Sequence, residues 1–177
     1  MKNLNVLFVD DEQFALHSME RLLSKQNYGK YFALGGQEAL EILASAPIHI
    51  IVSDMKMPGM DGLALLMVVK EKYPDIVRLV LSGYSQTAQL LPCINRGEIF
   101  RFITKPLSAD ELITSINDAI ELVNLRAEKN DLTEALHRKN IELSRALDER
   151  NLAQEQLKTL SSSEPLPSCL AIPARQT

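Results

Sequence analysis

Long apolar runs are missing from this chain of 177 residues; none approaches the ~20 needed to cross a bilayer. No apolar stretch precedes a small-residue cleavage site at the N-terminus, so no secretory leader is expected. Cysteine is scarce. Cys93 and Cys169 are the only two; they lack metal-ligand spacing and cannot make a disulfide framework, which points to a reducing, cytoplasmic setting. Charge is not strongly of one sign. A net charge of −4 and a pI near 5.4 argue against non-specific nucleic-acid binding. Histidine is thin as well: His17, His49 and His137 lie in separate segments without a second ligand nearby. What is present is 46% apolar and 24% charged residues, the balance of a soluble globular domain, with length left over for an extension.

Short apolar runs alternate with segments of helical period. Strands are expected over 4–9, 30–34, 48–53, 76–82 and 99–104. Helices are expected over 12–26, 36–46, 62–73, 85–97 and from 108 onward. In the first helix, Phe14, Ala15, Met19, Leu22 and Leu23 share one face at helical spacing. Pro74 stops the third helix, Pro92 kinks or shortens the fourth, and Ser108 with Glu111 makes a capping-box pattern. Strands apolar throughout, alternating with helices, imply a parallel α/β sheet buried on both faces. In such sheets function sits beyond the carboxyl ends of the strands.

Those ends carry the chemistry. Strand one ends at Asp10 and Asp11, strand three at Asp54, strand four at Ser82, and strand five at Thr104, Lys105 and Pro106. One acid at a strand end is commonly a loop cap. Three converging acids repel one another unless a cation lies between them. A hard divalent ion, Mg²⁺ for preference, answers that need, and Lys105 adds a second positive charge.

The stretches "VLFVDDE", "IIVSDMKMPGMDG", "LVLSGY" and "FITKPL" together resemble the receiver domain of two-component response regulators, over about residues 1–125. The resemblance implies a five-stranded sheet in the order 2-1-3-4-5 with helices on both faces. It implies that Asp54 is the phosphoacceptor, and that Asp10, Asp11, Asp54 and the carbonyl of Lys56 hold Mg²⁺. Ser82 and Lys105 would bind the phosphoryl group, with a cis bond between Lys105 and Pro106. Ser82 and Phe102 would form the switch. Phe102 stands where many relatives have Tyr, so a ring hydroxyl is lacking, and packing in the core is its alternative role. The segment "INRGEIFRFITKPLSADEL" is similar to receivers joined to HD-GYP cyclic-di-GMP phosphodiesterases. Met55, Met57 and Met60 beside the acceptor are read as loop packing over the third helix, in preference to a docking lip for a kinase.

The last helix is expected to outrun the domain. Leu122, Leu125, Leu132, Leu136, Leu143, Leu157 and Leu160 recur in a 3,4 alternation, interrupted by Lys129, Lys139 and Arg150. Neither Gly nor Pro falls between Leu107 and Leu160. This is a coiled-coil seam, with a parallel homodimer favoured over a solvated single helix. The expected organisation is a receiver over 1–124, a coiled-coil extension over 125–160, and a disordered tail or linker over 161–177 rich in Ser and Pro.

The reading that results is a phosphoacceptor switch rather than an enzyme, limited to self-phosphorylation from small donors and slow autodephosphorylation. Its partners would be a sensor histidine kinase or phosphotransfer protein and a second copy, with no DNA and no membrane. A regulatory part of a longer enzyme, such as a cyclic-di-GMP phosphodiesterase, is the alternative. A Mg²⁺-dependent phosphohydrolase with an aspartyl nucleophile is a third. It is disfavoured because Lys56 stands where that chemistry needs a second acid.

Overall fold

The computed structural model describes residues 4–83 and 98–161. Its strands are β1 (Asn5–Val9), β2 (Gly29–Ala33), β3 (Ile50–Asp54), β4 (Val77–Gly83) and β5 (Arg101–Lys105). They form one parallel sheet in the order β2-β1-β3-β4-β5. Helices α1 (Gln13–Leu22), α2 (Gly36–Ser45) and α3 (Gly62–Lys72) alternate with the strands, and a C-terminal helix runs Ala109–Ser161. The helix expected over 85–97, with Pro92, and most of the Ser/Pro-rich tail lie outside the described residues.

Both sheet faces are covered, as the unbroken apolar strands require. One face packs Leu7, Val9, Ile51 and Val80 against Ala39 and Leu43 of α2 and Leu65, Leu66 and Val69 of α3. The other packs Val6, Phe8, Ile50, Val52, Leu79, Leu81 and Ile103 against α1 and the start of the C-terminal helix, through Leu112, Ile116 and Ala119. Alternation along each strand assigns its residues to the two layers.

The first helix corrects an expectation. Its buried face is Leu16, Met19 and Leu23, whereas Phe14 is 86% exposed and Leu22 also faces water. Two apolar stripes overlap on this helix, and the one containing Leu16 packs on the sheet. Strand β3 starts later than expected and takes Asp54 in as its last residue.

The chain divides into two compact units, residues 1–127 and 128–177. In the first, Leu122 is half-buried against the unit's own core, although it was expected to open the coiled-coil seam. In the second, the described residues are one helix, and every one of them is exposed. No helix among the described residues is long and apolar enough to cross a membrane.

Candidate functional site

The carboxyl edge of the sheet gathers the predicted chemistry around one ammonium group. Asp10 follows β1, Asp54 ends β3, Ser82 is next to last in β4, and Lys105 ends β5. Lys105 Nζ lies 2.5 Å from Asp54 Oδ1 and 3.2 Å from Asp10 Oδ2. The other oxygens of the two acids accept backbone N–H bonds, Asp10 Oδ1 from Glu12 at 2.9 Å and Asp54 Oδ2 from Lys56 at 2.8 Å. Each carboxylate is thus held by a cation on one side and by the loop it introduces on the other. Asp10 is 2% exposed and Asp54 7%, so both charges are sheltered and need these partners.

Burial alone would lower the pKa of Lys105. The hydrogen bond and charge of Asp54, and then the charge and hydrogen bond of Asp10, outweigh it and raise the ammonium above its ordinary value. Lys105 is joined to Pro106 through a cis peptide.

Asp11 behaves differently from its neighbour. It is exposed, and none of the bonds that fix Asp10 and Asp54 involves it. Among the described residues, no three His, Cys, Asp or Glu side chains are drawn together as a cation cage. The expected convergence of three acids is therefore a convergence of two on Lys105, with Asp11 beside them at the same strand end. The carboxylates of Asp10 and Asp54 offer oxygen at this edge, the ligand type a hard cation takes.

The loop after Asp54 is shaped by close packing. A Cβ on Gly62 would stand 1.9 Å from the carbonyl oxygen of Asp54, so only glycine lets α3 start this near the acceptor strand. The N–H of Gly62 donates to the carbonyl of Met55 at 3.0 Å. Asp61 caps α3, its Oδ1 accepting from the N–H of Ala64 at 2.7 Å. Gly59 turns the loop at φ +78, in the left-handed region that favours glycine. Met55 and Met57 are buried in the core shared with α3, consistent with loop packing rather than a docking lip.

Ser82 is buried, and its hydroxyl donates to the carbonyl of Gly83 at 3.1 Å and lies 3.7 Å from Met55 Sδ. The register pairs Val80 with Phe102 and Ser82 with Thr104. Ser82 and Phe102 therefore share one face of the sheet. Phe102 is partly buried, packed against the α2/α3 core.

Residues that sequence reasoning missed lie away from this edge. Arg78 is buried at the entry of β4, where it donates to the carbonyls of Ile76 and Glu98 at 2.7 Å each. Glu98 is buried too, with Lys70 3.4 Å from its carboxylate. Burial, and then the charge of Arg126, lower the pKa of Arg78. An apolar strand pattern gives no sign of such a clamp, because the described partners of Arg78 are backbone atoms 2 to 20 residues away.

Residues 6–117 match the response regulator receiver domain family. This chain belongs to that family. It is 32% identical over 142 residues to the hydrogenase transcriptional regulatory protein HoxA of Cupriavidus necator, covering 80% of this chain and 28% of HoxA. The chain thus spans little more than a quarter of that curated relative's length. A solved structure of the signal receiver domain of an HD domain-containing protein from Pseudomonas fluorescens matches with a TM-score of 0.65 and 32% identity, over 70% of this chain and 98% of the other. A structure described as adenylate cyclase from Rhodopirellula baltica matches with a TM-score of 0.70 and 32% identity, over 75% of this chain and 98% of the other.

Proposed function

We propose that this receiver accepts a phosphoryl group on Asp54 from a histidine kinase or phosphotransfer protein, and passes the change to its C-terminal helix. The observation that carries the reading is the Lys105 ammonium bridging Asp54 and Asp10 beyond the carboxyl ends of β1 and β3. Lys105 neutralises the acceptor's surroundings. The N–H of Lys56 fixes Asp54 Oδ2 and thereby the direction from which an oxygen can attack. In the transfer, an Asp54 oxygen forms a bond to phosphorus while the phosphorus–nitrogen bond of a phosphohistidine breaks. The imidazole leaves with the bonding pair and takes up a proton. The acyl phosphate carries roughly −2 charge where the carboxylate carried −1.

Asp10, Asp11, Asp54 and the carbonyl of Lys56 are the residues that would hold Mg²⁺. When bound, it would neutralise oxygen charge on the phosphoryl group during transfer. Ser82 would turn from its carbonyl partner toward the new oxygens. Phe102, on the same sheet face, would move into the room behind it, which makes a two-state element biased by local charge. The exposed side chain of Lys56 would tune phosphoryl lifetime through water access; equal dephosphorylation rates for Lys56→Ala and wild type overturn that role. The exposed leucines of the C-terminal helix support a homodimer through that helix.

The test is incubation with a small acyl phosphate donor and Mg²⁺ followed by intact mass measurement. Wild type is expected to gain one phosphoryl group and Asp54→Asn none. No gain in wild type overturns the reading. The 28% coverage of HoxA favours a second reading for the output, in which this receiver regulates a longer multidomain protein. The transfer step is the same in both.

A further inference from the structure

The C-terminal helix leaves a row of leucines uncovered by its own chain. Leu125, Leu132, Leu136, Leu143 and Leu157 are 55%, 64%, 63%, 61% and 66% exposed. Lys129, Lys139 and Arg150 fall on the same row, and Ala146 and Ala153 fill the remaining positions. A second copy is the occupant that repeats this spacing, and charge then decides its direction.

A parallel, in-register pair stacks every position on itself. Lys129 meets Lys129, Lys139 meets Lys139 and Arg150 meets Arg150, so like charges share three layers of the seam. Glu128 and Glu149 would neighbour two of those layers and relieve part of the repulsion. They would leave two cations confined in each layer nonetheless.

Resting on the homodimer reading above, we infer that the two helices pair antiparallel about a two-fold axis at the height of Ile141. Leu125 then faces Leu157 of the second copy, Lys129 faces Ala153, and Leu132 faces Arg150. Leu136 faces Ala146, and Lys139 faces Leu143. No layer holds two cations; these are staggered into neighbouring layers about 4.5–6 Å apart in height. Each long basic side chain lies along an apolar partner and turns its charged end out to water. Leucine against alanine fills the seam with a large and a small residue at each such layer. On the flank, Glu142 meets its own counterpart near the axis. Lys139 lies beside it, 3.4 Å from Glu142 within the same helix.

The test uses the full chain with Cys93→Ser, Cys169→Ser and Glu155→Cys, spin-labelled at position 155 on the outer side of the helix. Sedimentation gives the assembly state, and the label–label distance gives direction. The antiparallel pair separates the two labels by about 42 Å along the axis, at ~1.5 Å per residue. A parallel pair holds them at one height, within the ~20–24 Å width of two helices. A dimer with the long separation is the expected result. A dimer with the short separation overturns the antiparallel direction and leaves the homodimer reading standing, and any other separation overturns the register. A monomer at all concentrations overturns the homodimer reading itself, and with it this pairing.

Discussion

Leucine does opposite work in the two units of this chain. In the receiver, Leu7, Leu65, Leu66, Leu79 and Leu81 are at most 1% exposed, locked between a sheet and its helices. In the second unit, Leu132, Leu136, Leu143, Leu157 and Leu160 are each more than 60% exposed on a lone helix. Burying such a side chain contributes roughly 1.5–3 kcal/mol. The receiver collects that contribution from its own chain. The described residues of the extension leave that surface uncovered, so in the proposed homodimer its stability would depend on concentration.

The sharpest way to expose this contrast is to remove core volume. Ile51, fully buried in β3, should cost about 2–5 kcal/mol as Ile51→Ala, read as a lower midpoint in urea unfolding of the receiver. Gly62→Ala comes next. Its new Cβ collides with the carbonyl of Asp54, so a loss of about 1–3 kcal/mol is expected, together with slower phosphoryl uptake as the acceptor strand shifts.

A smaller effect appears at alkaline pH. The Tyr28 hydroxyl is buried without a hydrogen-bond partner, and burial pushes its pKa up to about 12 from 10.0. The unfolded chain releases that proton first, so the folded state binds more protons between these values. Stability should fall as pH rises from 10 to 12. Lys105, whose pKa is also raised, adds a contribution of the same sign, complete below its ordinary 10.5 and lost as pH rises through the folded value. Tyr28→Phe should flatten part of the decline in unfolding midpoint over that window; an unchanged slope contradicts the assignment to Tyr28.

The smallest expected change in receiver stability is also the most diagnostic. Leu136→Ala should move the receiver's unfolding by no more than about 0.5 kcal/mol, while weakening self-association measured by sedimentation. Equal association in both proteins would remove Leu136 from the seam.

Much of the receiver was legible in its sequence because parallel strands repeat a local pattern that needs no knowledge of partners. The apolar runs located five strands, and the polar residues at their ends located the edge where Asp10, Asp54 and Lys105 meet. What escaped depended on contacts distant along the chain. Phe14 and Leu22 were placed on the buried face of α1 because both fit a helical stripe, and only the sheet beneath selects the stripe through Leu16, Met19 and Leu23. Arg78 escaped because the partners described for it are backbone carbonyls, which no side-chain motif announces. At the end of β1, the contact with Lys105 is made by Asp10, a choice between neighbouring acids that depends on β5, far along the chain.

The position of β5 has a mechanical meaning. Among the described residues it is one of the two edge strands, with a neighbour on one side only. Arg101, at its first residue, is 2.7 Å from Asp118 of the C-terminal helix. Lys105, at its last, reaches past β4 to the ends of β3 and β1. The strand is pinned at both ends by charge, one pin set in the reactive edge and the other in the helix that leaves the domain. If Asp54 takes a phosphoryl group as proposed, only the first pin would feel the new charge, and β5 would act as a lever arm whose far end holds Asp118 of the C-terminal helix.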